Sequence, residues 1–154
     1  MAWRTEKRRG TRVNFTVSIE VSARFRDTDA MGHINNAVYL SYLEVARQEY
    51  WKRCTDLRDY AKVPFILAHV CIDYRSAAKV EEILQVQVST TWVSERSFGM
   101  KYRVVEKSTQ RLVAETETVQ VTYDYVTDKV IPVPEELRRQ FEALEGRVLP
   151  RSKV

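Results

Sequence analysis

From Ala37 to about Arg53 the chain runs without Gly or Pro, and apolar residues recur through it at helical spacing. Tyr39, Leu43, Ala46 and Tyr50 fall at i, i+4, i+7 and i+11, and Leu40 and Val45 widen that face. Ser41, Glu44, Gln48 and Lys52 gather on the other side, and Asn35 or Asn36 stands where an N-cap is needed. A helix apolar over so much of its circumference is expected to be enclosed by other structure rather than laid on a surface.

The flanking segments carry the other periodicity. Val17, Ile19, Val21, Ala23 and Phe25 alternate with polar residues, and Ile66, Ala68, Val70, Ile72 and Tyr74 recur at the same two-residue spacing. Leu84, Val86, Val88, Thr90 and Trp92 form a third set, and Phe98, Met100, Tyr102 and Val104 a fourth. Val113, Val119, Val121 and Tyr123 share parity in a longer segment from about Arg111 to Tyr125. Period two predicts half-buried strands, and the short gaps at 94–97 and 107–110 predict hairpin turns. Pro134, Glu135 and Glu136 open a second helix with Leu137, Phe141 and Leu144 on one face and Gly146 beyond it. One buried helix among antiparallel strands is an α+β domain, a curled sheet around the helix.

Composition narrows the class. With 44% apolar and 30% charged residues in 154, the chain has material for one core and is no disordered segment. No run approaches the roughly 18 apolar residues of a membrane helix, and the N-terminus lacks the apolar stretch of a secretory signal. Cys54 and Cys71 are too few for a disulfide framework and suit a reducing compartment. A cytoplasmic protein with no membrane span is the expectation. Arg4, Lys7, Arg8, Arg9 and Arg12 against Glu6 account for the whole net charge of +4, so the remainder is neutral. Residues 1–14 are expected to be a basic flexible tail, 15–146 the domain and 147–154 a short C-terminal tail. Without a positive body, no nucleic-acid partner is expected.

The sequence holds no G-x-S-x-G elbow, no P-loop and no G-x-G-x-x-G. His33 and His69 are its only histidines, so no multi-histidine metal site exists, and no metal is expected. His69 and Cys71 share a face of one predicted strand, where packing is the expected role. The stretch Asp27-Thr28-Asp29-Ala30-Met31-Gly32-His33-Ile34-Asn35-Asn36 differs from the rest. It sets two carboxylates, an imidazole and two amides between a strand and the start of a buried helix. Free N–H groups and the positive dipole end there suit a developing oxyanion, and a nearby carboxylate suits a base or nucleophile. An Asx-rich turn that merely caps the helix explains the same residues equally well.

The run from Asp27 through Asp29, Gly32, His33, Asn35, Asn36 and Tyr39, continuing to Arg47 with Glu44, resembles the signature of hotdog-fold acyl-CoA thioesterases of the 4-hydroxybenzoyl-CoA thioesterase type. That resemblance implies a hotdog fold, a curved antiparallel sheet wrapped around one long central helix. It implies hydrolysis of an acyl-CoA thioester, with Asp29 as catalytic carboxylate and the Asn36 backbone N–H as oxyanion donor. Asp29 would attack the thioester carbon or activate a water. Asp27, Gly32, His33, Asn35, Tyr39 and Glu44 would support the site, Gly32 through its backbone. Glu44 lies about 12 Å along the helix from Asn36, too far to share its carbonyl, and a salt bridge to Arg47 or a neighbouring strand is expected. The resemblance also implies a homodimer or dimer of dimers with sites between subunits. Arg96 and Ser97 would contact the CoA phosphates, with no cofactor beyond the CoA of the substrate. A non-catalytic acyl-CoA-binding protein and an acyl-carrier-protein thioesterase are the alternatives.

Overall fold

The computed structural model describes residues 13–56 and 63–152; the basic tail through Arg12 lies outside them. In chain order the elements are β1 (Val17–Ser22), α1 (Val38–Cys54), β2 (Phe65–Tyr74), β3 (Ile83–Val93), β4 (Ser97–Glu106), β5 (Leu112–Asp124), β6 (Lys129–Val130) and α2 (Glu135–Glu145). The five long strands form one antiparallel sheet in the order β1-β3-β4-β5-β2, with short β6 on β5. Register shifts at Leu67/His69, Thr90/Trp92 and Val104/Val105 supply bulges, which bend strands and sharpen their twist. The inner face packs on α1. Tyr39, Leu43, Ala46 and Tyr50 meet Val17, Leu84, Val86, Phe98, Met100 and Tyr102 in one cluster, every one at most 2% exposed. α2 adds Leu137 and Phe141 to it, and Gly146 ends that helix with a left-handed backbone.

Several details depart from the sequence expectations. β1 stops at Ser22, and Phe25 is 84% exposed rather than inward, because Arg24 to Asp27 folds into a 3₁₀ turn that breaks the alternation. Leu40 and Val45 are 44% and 49% exposed, so α1 is enclosed by this chain on one side only. Val113 is buried as expected, but from Thr116 onward the β5 parity is inverted. Phe98, Met100 and Tyr102 point inward, and their partners Gln120, Thr118 and Thr116 must share that face, leaving Val119 and Val121 half-buried outside. The bulge after Thr90 turns Trp92 outward, where its indole lies over Gly99 in the space a side chain at 99 would need. The packed chain also runs past Gly146. Leu149 is buried, and Val93 N–H donates to the Pro150 carbonyl at 2.9 Å. No helix among the described residues is long and apolar enough to cross a membrane.

Candidate active site

The segment between β1 and α1 folds back on itself like a small hairpin. Asn35 N–H donates to the Asp27 carbonyl at 2.8 Å, and Asp29 N–H to the His33 carbonyl at 2.7 Å. Gly32 makes the reversal with φ of +77°, a left-handed value that favours glycine, and its N–H donates to the Asp29 carbonyl. The buried Ile34 anchors the hairpin in the core and donates its N–H to the Ala78 carbonyl.

The two aspartates of this loop have opposite environments. Asp27 is 3% exposed and saturated. It accepts from Arg24 Nε and Nη2 at 3.0 Å each, from Arg24 N–H at 3.1 Å and from the Tyr42 hydroxyl at 2.7 Å. The Arg24 hydrogen bonds outweigh burial and hold its carboxyl down at about 2. Asp29 is half-exposed. Its Oδ1 accepts from Met31 N–H at 2.8 Å and His33 N–H at 3.1 Å, and its Oδ2 has no partner among the described residues. The Asx-turn role and an available carboxylate oxygen therefore coexist in Asp29.

At the helix start the donors are nearly all taken. Asn35 N–H goes to Asp27 and Val38 N–H to the Asn35 carbonyl, while Asn35 Oδ1 accepts from Ala37 N–H at 2.9 Å. Ala37 stands at the N-cap position, and of the two asparagines expected there it is Asn35 whose side chain engages the helix start. The Asn36 N–H has no partner among the described residues. It stands at the positive end of a helix of 17 residues.

Asp29, His33, Asn35, Asn36 and Tyr39 line one cleft of about 460 Å³. Asp27 and Gly32 do not line it; Gly32 makes the reversal of the loop that does, and Asp27 ties that loop to Arg24 and Tyr42. Its opposite wall, Tyr74 to Ala77, was not anticipated from sequence. The available signal was topological. The chain descends α1 and returns along β2, so the end of β2 arrives beside the start of α1. Arg111 braces that wall through Ser76 Oγ at 2.8 Å, the Ala77 carbonyl at 2.6 Å and the Glu82 carboxylate.

Other expected residues lie elsewhere. Glu44 lines a separate hollow of about 420 Å³ with Arg47, Gln48, Trp51 and Phe65. It forms no ion pair with Arg47 or a strand among the described residues, correcting the expected salt bridge; Arg47 instead reaches the Tyr102 hydroxyl at 3.5 Å. Ser97 pairs with Val121 on β5 whereas Tyr74 pairs with Ala114, about 23 Å apart along that strand. Arg96 and Ser97 therefore do not reach the cleft of their own subunit. His69 and Cys71 are exposed on β2 and do not line it either. Among the described residues no group of three or more His, Cys, Asp or Glu side chains is arranged to hold a metal ion.

The family described as the thioesterase-like superfamily matches residues 23–141, from the end of β1 into α2. The chain belongs to that superfamily. Among thioesterase-like relatives, acyl-CoA thioesterase YbgC of Haemophilus influenzae is 28% identical over 83% of this chain and 96% of its own length. Long-chain acyl-CoA thioesterase FadM of Escherichia coli is 23% identical over 81% and 96%. Among solved structures, a thioesterase from Thermus thermophilus complexed with coenzyme A and Zn superposes with a TM-score of 0.80 at 34% identity, covering 88% of this chain and 98% of that one. A 1,4-dihydroxy-2-naphthoyl-CoA thioesterase from Synechocystis shares the fold, with a TM-score of 0.73 at 21% identity over 81% and 94%. The hotdog architecture implied by the Asp27–Arg47 motif is thus the architecture present.

Proposed function

We propose that this chain is a thioester hydrolase that splits an acyl-CoA into the free acid and CoA. The observation that carries the reading is the meeting, in one cleft, of an aspartate with an unengaged carboxylate oxygen and a helix-start N–H with no partner among the described residues. A thioester carbonyl bound with its oxygen toward the Asn36 N–H is polarised by that donor and by the helix dipole. Attack at the carbonyl carbon, by Asp29 Oδ2 or by a water that Asp29 deprotonates, moves the π electrons onto the oxygen facing Asn36. Collapse of that oxyanion expels the CoA thiolate, which takes up a proton, and water supplies the hydroxyl of the acid. In the nucleophilic route water then cleaves an acyl-aspartyl anhydride. Both routes need the Asp29 charge and the Asn36 donor. The only CoA involved is the substrate's own.

The open edge of β2 and the exposed Leu40 and Val45 on α1 support a homodimer or dimer of dimers, since pairing covers an edge strand. A contact from Arg96 and Ser97 to the CoA phosphates would then be made across a subunit interface.

The test is thiol release from acyl-CoAs of graded chain length, and from the same acyl groups on acyl-carrier protein. Catalytic turnover of acyl-CoA that collapses in Asp29→Asn is the expected result. Tight acyl-CoA binding without turnover would establish a non-catalytic binding protein instead, and turnover only on the carrier protein would move the substrate class.

A further inference from the structure

Tyr74, the last residue of β2, lines the cleft, and its hydroxyl donates to the main-chain carbonyl of Asn36 at 2.8 Å. Its ring stands edge-on to Tyr39, with centroids 5.3 Å apart at 70°, and Tyr39 is buried in the first turn of α1. The strand end is itself anchored, because the Arg75 and Ser76 N–H groups both donate to the Val113 carbonyl at 2.8 and 3.2 Å.

The carbonyl that Tyr74 holds belongs to the residue whose N–H is the free donor. Peptide units are rigid planes joined at Cα: the Asn36 N–H shares its plane with the Asn35 carbonyl, which accepts from Val38 N–H, and its direction is set further by the neighbouring planes. The plane before it is tied by Asn35 N–H to Asp27. The plane after it is tied twice, by Ala37 N–H to Asn35 Oδ1 and by the Asn36 carbonyl to Tyr74. Of these ties, Tyr74 alone comes from the opposite wall of the cleft, so it also sets the spacing between the donor and that wall.

We propose, resting on the thioester-hydrolase reading of this cleft, that Tyr74 is a positioning residue. Its hydroxyl clamps the helix start to the end of β2 and aims the Asn36 N–H at the carbonyl oxygen of the substrate. Oxyanion donors stabilise the transition state more than the bound substrate, and deleting one outright typically costs about 10²–10³ in kcat. Loosening the donor without deleting it costs less.

The experiment compares Tyr74→Phe with Tyr125→Phe. Tyr125 is the matched control, since its hydroxyl donates to the Phe65 carbonyl at 2.9 Å, at the opposite end of the same strand. Tyr74 is 42% exposed, so its variant keeps the core and the ring contact with Tyr39. Tyr74→Phe is expected to lower kcat roughly tenfold with KM within about twofold, the split left by losing an interaction made only in the transition state. Tyr125→Phe is expected to keep kcat within about twofold. Independently of activity, exchange of the hydrogen-bonded amides of Ala37 and Val38 should accelerate roughly tenfold in Tyr74→Phe and stay unchanged in Tyr125→Phe. Unchanged exchange at these amides overturns the proposal, and so does a variant whose loss lies in KM, which would make Tyr74 a substrate contact. If the wild-type chain hydrolyses no acyl-CoA, the hydrolase reading fails by itself, and the exchange measurement still decides whether Tyr74 holds the helix start.

Discussion

The Tyr42 hydroxyl donates to the buried Asp27 carboxylate at 2.7 Å, fastening the loop before α1 to the second turn of that helix. With Arg24 on its other side, Asp27 is a fully engaged clamp. The two acidic residues of Asp27-Thr28-Asp29 thereby divide their work: one holds the loop, and the other keeps an oxygen free.

That division predicts how Asp29→Asn behaves. Asn keeps the size of the side chain and an oxygen for the Met31 and His33 amides of the turn, so the fold survives, while the base or nucleophile is gone. A positioned acid or base is worth about 10²–10⁴ in rate. kcat should fall by at least about 10²-fold, with melting temperature and acyl-CoA affinity near wild type. Retained turnover would transfer the role to another carboxylate.

Asp27→Asn and Tyr42→Phe should act on stability instead. Removing the tyrosine hydroxyl from a buried carboxylate costs about 1–3 kcal/mol, read in chemical denaturation.

The Asp27 contribution also has a pH signature. Its folded value of about 2 lies below the ordinary 3.8. The charged form is therefore favoured by folding, and the stabilisation is complete above about pH 4 and lost as pH falls through about 2. The stability gap between wild type and Asp27→Asn should shrink over that window. Glu106, held near 2 by hydrogen bonds from Thr109 and Ser108, titrates in the same range but is common to both proteins and cancels. A gap that is constant down to about pH 2 would count against the clamp.

Gly99→Ala should be destabilising although the position is in a strand, where alanine is ordinarily tolerated. A Cβ at 99 would enter the Trp92 indole, and forced overpacking costs about 1–3 kcal/mol. A double-mutant cycle with Trp92→Ala should recover most of that loss; additive effects would show that the ring is not the obstacle.

Assembly is checked by sedimentation at micromolar concentration, where a dimer or larger species is expected. A fully active monomer would sink the proposal that sites form between subunits.

Along the chain, period and punctuation determine the elements. The unbroken apolar spacing of Tyr39 to Tyr50 makes α1, the alternations make the strands, and Asp27 to Asn36 is left as the polar segment at the helix start. These are local properties, set within a few residues by backbone geometry and side-chain period. Tertiary structure decided what local properties cannot. β5 turns Thr116, Thr118 and Gln120 inward because its register with β4 gives them the face of Tyr102, Met100 and Phe98. Asp27 and Asp29 look alike in sequence, and it is the docking of Tyr42, 15 positions away on α1, that completes the hydrogen bonding of one of them. Tyr74 reads as one more strand residue until the return of β2 along α1 brings its hydroxyl, 38 positions away in sequence, to the carbonyl of Asn36. Pairing register and long-range hydrogen bonds depend on partners distant in the chain, which no local period encodes.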